Sequence, residues 1–387
     1  MDATELVNTR IDQLLAEHPT TDPLAFKGAM YDLGLANVSF PEGFGGLGVA
    51  PGLQRLVNDR VVGAGGPGPL VSIGLGMAAP TIAVHGTDDQ RTRWLRPLFT
   101  GEEIWCQLFS EPGAGSDVAS LSTSALRDGD EWIVNGQKVW TSLAHEARWG
   151  MLVARTDPDV PKHRGLTYLI CDLHAPGVEV RPLRQMTGQA EFNEVYLTDV
   201  RIPDAHRIGD VGDGWRIALT TLMNERVAIG GGSFARKSPL DWALELYAER
   251  GDSNAVLRDE VIRAWIQQRV LRLTVQRAGA RASVGTPGPE GSVAKLLAAE
   301  YNKSCFSLCM NLLGPDATLY PSGYAMDRSR PDYGYTNVQE WFLRCRANSI
   351  EGGTSEVMRN ILGERVLGLP GDVRVDKELP WRDVPRS

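Results

Sequence analysis

Residues 106–117, Cys-Gln-Leu-Phe-Ser-Glu-Pro-Gly-Ala-Gly-Ser-Asp, and residues 135–142, Asn-Gly-Gln-Lys-Val-Trp-Thr-Ser, decide how the rest of the chain is read. In the first stretch the apolar pair Leu108-Phe109 runs into the turn Gly113-Ala114-Gly115-Ser116. Glycines open backbone conformations closed to other residues, and free N–H groups beside a Ser hydroxyl suit an anion such as a pyrophosphate. The second stretch reads as part of a hairpin. Trp132, Val134 and their neighbours alternate, Asn135-Gly136 predicts a two-residue turn, and Val139-Trp140 begins the return strand. That strand delivers Trp140 with two hydroxyls behind it, Thr141 and Ser142. A flat aromatic beside small donors suits a planar polar ring. Taken singly, either half also fits an ordinary glycine turn or a core Trp, so the surrounding chain has to arbitrate.

Working outward, 387 residues allow two or three domains at roughly 100–200 residues each. A net charge of −8 argues against a nucleic-acid surface, because phosphate binding needs a basic patch. No apolar run approaches the ~18 residues that span a bilayer. The acidic start, Asp2-Ala3-Thr4-Glu5, has no signal-peptide layout. Cys106, Cys171, Cys305, Cys309 and Cys345 contain no Cys-x-x-Cys and read as reduced, mostly buried thiols of a cytoplasmic protein. Six scattered histidines give no metal-ligand spacing, and there is no Gly-x-Ser-x-Gly for a hydrolase nucleophile.

Residues 1–103 read as an all-helical domain. Val7, Ile11, Leu14 and Leu15 share one helical face, and Thr87-x-x-Gln90 is a capping box. Residues 69–84 are apolar nearly all round, which predicts a buried helix. Gly43-Phe44-Gly45-Gly46-Leu47-Gly48 matches a dinucleotide fingerprint, but Pro41-Glu42 precedes it, Pro51 follows, and no βαβ pattern surrounds it. It is rejected as a Rossmann site, and Gly63–Gly68 reads as a loop joining helices.

From 104 to 212 the pattern turns to short β segments at Val134, Met151–Val153, Tyr168–Ile170, Val178–Val180 and Val195–Leu197. Their spacing predicts a compact antiparallel β-barrel. From 213 to 369 helices return, and four with apolar stripes and short connections predict a four-helix bundle. They run from Gly214 to Ile229, from the Ser238-Pro239 start to Gly251, from Val256 to Val284, and from Ser292 to Leu313. Residues 370–387 read as a loose tail. The class is α+β.

Together the two opening stretches resemble the middle-domain flavin signature of the acyl-CoA dehydrogenase family. Residues 41–48, Pro-Glu-Gly-Phe-Gly-Gly-Leu-Gly, resemble its N-terminal loop, and Glu351-Gly352-Gly353-Thr354-Ser355-Glu356 through Leu369 its C-terminal motif and last helix. The resemblance covers about residues 25–370. It implies a helical N-terminal domain, a β-barrel and a four-helix bundle, assembled as a dimer or tetramer. It implies FAD as cofactor, an acyl-CoA thioester as substrate and a trans-2-enoyl-CoA as product. A carboxylate takes the α-proton, N5 of the flavin takes the β-hydride, and an electron-transferring flavoprotein accepts the electrons. It carries flavin contacts onto Gln107, Phe109, Ser110, Trp140, Thr141 and Ser142. Gly115 and Ser116 fall at the pyrophosphate or CoA side, and Thr354 and Glu356 touch the cofactor from the last segment. Gly352 offers an N–H to the thioester carbonyl, and Arg226 lies beside the substrate.

The base is less direct. Many members carry a Glu directly before Gly-Thr-Ser; here that position is Gly352, and Glu351 comes one residue early. Isovaleryl- and long-chain acyl-CoA dehydrogenases place their base in a Glu-Arg pair on the first bundle helix, which Asn224-Glu225-Arg226 resembles. Independently, Ala218, Leu222, Glu225 and Ile229 form one helical stripe. A carboxylate in an apolar stripe is desolvated toward a base's working range. Glu225 is therefore the expected base and Glu351 the alternative.

Two family motifs are altered. The Arg-x-x-Phe-Gly whose Arg meets a neighbouring subunit's pyrophosphate reads Tyr-Ala-Glu-Arg-Gly-Asp at 247–252. Gln-x-Phe-Gly-Gly reads Asn-Leu-Leu-Gly-Pro at 311–315. Arg250 and Arg258 are candidate substitutes for the missing cross-subunit contacts. Besides a dehydrogenase, the same fold could serve an acyl-CoA oxidase, a flavin monooxygenase, or a non-catalytic subunit of a mixed oligomer.

Overall fold

The computed structural model describes residues 2–68, 72–231, 237–251, 254–282, 290–321, 323, 325–326, 335–371, 373 and 376–385; the side chains of 226–231, 279–282 and 290 lie outside the description. Two units emerge: 1–181 with 192–224 and 375–387, and 182–191 with 225–374.

The first unit begins with α1 (Ala3–Glu17), capped by the Asp2 carboxylate and burying Val7, Ile11 and Leu14 on one face. Next come α2 (Pro23–Asp32), with Asp22 as cap and Pro at its first turn, and α3 (Gln54–Gly63). Between them the glycine run 43–48 is a compact loop with a single bridge between Glu42 and Gly46, not a strand followed by a helix. A π-helical turn, Gly74–Ala78, leads into α4 (Ala79–His85). Of the expected buried helix over 69–84, residues 69–71 lie outside the described residues, and Val84 is 63% exposed. A helix this short buries Ala79, Thr81, Ile82 and Ala83 and leaves Val84 outside that contact; α4 packs on α5 (Asp88–Thr100). The capping box at Thr87 and Gln90 closes as expected, and Gln90 Nε2 also donates to the carbonyls of Ala205 and Arg207, each at 2.8 Å.

Eight strands follow: β1 (Trp105–Leu108), β2 (Ser124–Asp128), β3 (Glu131–Ser142), β4 (Trp149–Arg155), β5 (Leu166–Asp172), β6 (Val178–Leu183), β7 (Phe192–Pro203) and β8 (Arg207–Ile208). They make one sheet ordered β6-β7-β3-β2-β4-β5-β8. The expected all-antiparallel order is corrected at β4. Its one edge carries β1 in parallel from Trp105↔Trp149 to Leu108↔Leu152, then β2 in parallel at Ser124↔Arg155, so the sheet forks there. The pairings follow an open path from β6 to β8. Alternation sorts the side chains into two cores. Met151, Val153, Tyr168 and Ile170 join the N-terminal helices on one face; Leu152, Ala154, Leu169 and Cys171 join Val134, Val195 and Leu197 on the other.

The expected turn at Asn135-Gly136 is also corrected. Both residues lie inside β3, and the tight turn is Gly129-Asp130, closed by the Asp128↔Glu131 pair with Gly129 at φ 62°. Gly136 serves a different need: its register against β7 slips, and a Cβ there would sit 2.7 Å from Thr123 Cα. Close approach of a neighbouring backbone, not a reversal, requires the glycine.

A buried ion pair joins the two opening stretches. Lys138 on β3 is fully buried and reaches Glu111 at 2.8 Å, and also donates to the carbonyls of Phe109 (3.1 Å) and Val153 (2.9 Å). Glu111 accepts from the backbone N–H groups of Ser122 (2.6 Å) and Thr123 (2.9 Å). Burial alone would raise the Glu111 pKa, but the Lys138 charge and these hydrogen bonds hold it below the usual carboxylate range.

The expected loose tail is corrected too. Residues 376–385 dock on the β domain, where Trp381 Nε1 donates to the Ser120 carbonyl at 3.2 Å and the Trp381 backbone N–H to Val160 at 2.9 Å. The buried Arg155 guanidinium lies 4.3 Å from the Trp381 ring centroid. Covering a desolvated cation with an aromatic face gives this segment a specific seat.

Helix α6 (Gly214–Gly231) starts in this unit. Ile217, Ala218 and Thr221 are buried, and the Thr221 hydroxyl meets Thr81 Oγ1 at 2.9 Å and Tyr168 Oη at 3.1 Å. In the second unit α7 (Pro239–Arg250), α8 (Ala255–Ala282) and α9 (Glu290–Leu313) pack together, with α10 (Val338–Arg344) and α11 (Ser355–Arg365) against α9. Ser238 caps α7 with Pro239 next and Gly251 past its end in the left-handed region, as expected. All five cysteines are buried free thiols.

Lys138→Met leaves the Glu111 carboxylate buried without its cation. Breaking such a pair costs ~3–5 kcal/mol, read as a lower urea midpoint at neutral pH. Adding Glu111→Gln should recover part of the loss, because the amide oxygen still accepts from Ser122 or Thr123.

Candidate active site

In the first unit the Gly-rich turn and the end of β3 meet through one backbone hydrogen bond, Val139 N–H to the Ser110 carbonyl at 2.9 Å. This bond sets Ser110 beside Trp140, Thr141 and Ser142. Between Lys138 and Thr141 the β3–β7 register slips, and Trp140 takes φ 59°. A bulky residue at positive φ is a backbone outlier, and such strain concentrates at functional sites. The strain turns the indole outward: Trp140 is 57% exposed, held edge-on by Phe192 at 5.9 Å between centroids. Thr141 Oγ1 is buried without a hydrogen bond, and among the described residues the hydroxyls of Ser110 and Ser142 have none either.

The turn itself is closed by reciprocal backbone hydrogen bonds between Glu111 and Ala114, 3.1 and 3.0 Å. Gly115 and Ser116 are exposed, and nothing lies within 4 Å of where a Gly115 Cβ would be. Among the described residues the N–H groups of Gly115 and Ser116 make no backbone hydrogen bond. Gln107 lies on β1 opposite Met151. Phe109 points into the core, edge-on to Tyr168 at 6.0 Å, and its carbonyl is taken by Lys138. The first unit thus presents an exposed flat aromatic, unpartnered hydroxyls and an open loop of free N–H groups. A planar polar ring carrying an anion suits that surface.

The other expected residues belong to the second unit. Glu225 is half-buried on α6, one helical stripe on from buried Ala218 and half-buried Leu222. The side chains of Arg226 and Ile229 lie outside the described residues. Gly352 and Gly353 take φ 63° and 93°, and among the described residues the Gly352 N–H makes no backbone hydrogen bond. Thr354 caps α11 by accepting from Val357 N–H at 3.1 Å, and Glu356 is exposed and paired with Arg359. Arg250 donates to the Leu312 carbonyl at 3.2 Å, tying the ends of α7 and α9 together, and Arg258 is exposed on α8.

Glu351 is held. Arg344 Nη2 reaches its carboxylate at 2.8 Å and Asn348 Nδ2 at 2.6 Å. Burial alone would raise its pKa, but the Arg344 charge and these hydrogen bonds keep it below the ordinary range. Arg344 also faces buried Glu191 at 3.9 Å, and Glu191 accepts from Tyr335 Oη at 2.9 Å. Buried Lys295 on α9 donates to the Gly353 carbonyl. Sequence reading missed Lys138, Lys295 and Arg344. The signal was present only for Lys138, a charge inside the apolar alternation of a strand; Lys295 and Arg344 look like ordinary helical surface residues until the chain is folded.

Family models of the acyl-CoA dehydrogenase N-terminal, middle and C-terminal domains match residues 2–102, 106–200 and 212–367. The chain is 40% identical over 343 residues to the acyl-CoA dehydrogenase FadE34 of Mycobacterium tuberculosis, covering 88% of this chain and 46%, about half, of that protein's length. It is 38% identical to the acyl-CoA dehydrogenase IpdE1 of the same organism, over 88% of this chain and 86% of IpdE1. The crystal structure of the ChsE4-ChsE5 complex from M. tuberculosis superposes with a TM-score of 0.70 and 31% identity, over 95% of this chain and 97% of that one.

Arg344→Met leaves Glu191 and Glu351 without their shared cation and should lower the stability of the second unit by ~3–5 kcal/mol at neutral pH. Because Glu351 titrates below its unfolded value, its stabilisation is present above that value and is lost as pH falls through the depressed one. Urea unfolding should therefore show parent and variant converging as pH drops into the acid range.

Proposed function

Because the chain belongs to the acyl-CoA dehydrogenase family of oxidoreductases, we propose that it binds FAD and dehydrogenates an acyl-CoA thioester to the trans-2-enoyl-CoA. The observation that carries this is the strained, exposed Trp140 beside the unpartnered hydroxyls of Ser110, Thr141 and Ser142. These residues fit a flavin ring, with Trp140 over one face and the Ser hydroxyls at its polar edge. Gly115 and Ser116 fit a phosphate, and in the second unit Thr354 and Glu356, at the start of α11, are the residues proposed for cofactor contact. Bound FAD supplies the acceptor for the β-hydride, and an electron-transferring flavoprotein takes the electrons onward.

Glu225 takes the α-proton. Its half-buried place on an apolar helical stripe puts a carboxylate where a positioned general base can work away from bulk water. Gly352, left-handed and with an N–H that makes no backbone hydrogen bond among the described residues, donates to the thioester carbonyl as negative charge develops there. The hold of Arg344 and Asn348 on Glu351 argues against Glu351 as the base, since a carboxylate pinned to a guanidinium is a poor base.

Support for assembly comes from α8, which exposes Ile262, Trp265, Ile266, Val270 and Leu273 along one face. A stripe of that kind is too apolar for a monomer's surface and supports a homo-oligomer. A second reading, a mixed oligomer with a related chain, is favoured by the altered stretches 247–252 and 311–315, and the ChsE4-ChsE5 complex is a mixed assembly of that fold.

The purified protein should be yellow, releasing flavin on denaturation; a colourless protein that takes up no FAD overturns the reading. With acyl-CoA, Glu225→Gln should slow flavin reduction by ~10²–10⁴ with little change in affinity. Glu351→Gln should keep most of the rate. Rapid mixing decides between them, and a parent-like rate in the 225 variant with a stalled 351 variant reverses the assignment. Ile266→Asp on α8 should shift light-scattering mass toward monomer.

A further inference from the structure

Resting on the FAD and acyl-CoA reading, we propose that residues 376–385 are a strap that positions the phosphate-binding turn Gly113–Ser120. Its ligand class is the phosphate of an adenine dinucleotide or of coenzyme A.

The turn is a poor anion site by charge alone, because Asp117 sits directly after Ser116. Lys162 answers that charge, its Nζ lying 2.7 Å from Asp117 and 2.6 Å from Asp376 of the strap. The Lys162 side chain is only 12% exposed, while Asp117 is 52% exposed, so the bridge is shielded at its lysine end. Burial lowers the Lys162 pKa, but the hydrogen bonds it donates to Asp117 and Asp376 more than reverse that and keep it charged. The second anchor is Trp381. Its indole N–H takes the Ser120 carbonyl at 3.2 Å, at the far end of the turn, and its ring covers Arg155. Arg155 in turn donates to the carbonyls of Leu121 (3.1 Å) and Ala119 (2.6 Å). A third contact fixes the strap itself: the Trp381 and Arg382 backbone N–H groups bond to Val160 and Pro158, and Arg382 pairs with Asp159.

The turn is thus pinned at Asp117 and at 119–121 by groups that all touch the strap. Between those pins the Gly115 and Ser116 N–H groups stay open to solvent. Asp117, Lys162, Asp376 and Arg155 sum to zero formal charge, so the N–H dipoles meet an incoming phosphate without net repulsion. Without the strap, Lys162 keeps Asp117 but both gain motion, and the turn samples conformations in which its N–H groups diverge. Trp381 and Lys162 act here as positioning residues.

The test compares the full chain, Trp381→Ala, Trp381→Phe and Lys162→Met. Three quantities are read: retention of FAD by flavin fluorescence, KM against kcat for an acyl-CoA, and amide hydrogen exchange over 113–120. Trp381→Ala and Lys162→Met should speed exchange in the turn and weaken phosphate-ligand binding about tenfold, the worth of one charge-assisted hydrogen bond. kcat per bound flavin should hold. Trp381→Phe keeps the cover over Arg155 and should recover part of the loss, which a general folding defect would not. If FAD retention falls, the phosphate is the dinucleotide's; if KM rises with FAD retained, it is the thioester's. Parent-like exchange, FAD retention and KM in both Trp381→Ala and Lys162→Met overturn the strap. A full-length protein that binds neither FAD nor acyl-CoA overturns the functional reading instead, and faster exchange in the variants still supports the strap.

Discussion

The Lys138–Glu111 pair is the contact on which the first unit's site depends. Two charges leave water, and the cost is met only because every remaining bond is filled: two carbonyls on the ammonium, two backbone N–H groups on the carboxylate. Glu111 opens the Gly-rich turn, Lys138 precedes the bulge at Trp140, and the Val153 carbonyl lies on β4. One buried pair therefore fixes three backbones in a single register. The strained Trp140 survives because the strand on one side of it is tied this firmly and the strand beyond Thr141 resumes pairing with β7 at Asn193.

Charged groups in the second unit serve a comparable end by other means. Arg344 spans Glu191 and Glu351, and Lys295 holds the Gly353 carbonyl, so the two left-handed glycines are framed from both sides. Left-handed glycines lose more chain entropy on folding than other residues. Polar anchors on each flank restrict that freedom while the Gly352 N–H makes no backbone hydrogen bond among the described residues.

Much of this was legible in the residues. Caps at Thr87 and Ser238, the stripe Val7-Ile11-Leu14 and the strands at 151–153 and 168–170 follow from local rules, because local side chains satisfy them. The Asn135-Gly136 turn misled because a strong hairpin pair can also be the only sequence that lets Thr123 approach a strand. The parallel pairing of β1 with β4 was illegible, since strand direction depends on a connection tens of residues long. The docked tail was illegible for the same reason: proline and charge mark residues 370–387 as loose, and residues far away in sequence, Arg155, Ser120 and Val160, give Trp381 a seat. At the site, Trp140 and its hydroxyls were readable as chemistry, whereas the cations that hold Glu351 and Gly353 were not.

The hydrogen bond from Trp381 to Ser120 joins residues 261 positions apart. During synthesis at ~5–20 residues per second, the last strand of the β domain, ending at Ile208, leaves the ribosome roughly 9–35 seconds before the covering Trp381 arrives. Throughout that interval Arg155 offers an open guanidinium face in a domain whose sheet is otherwise ready to close. The nascent chain therefore passes through a stage with a finished sheet and an unfinished anion turn, and the order of translation sets when the turn takes its final shape.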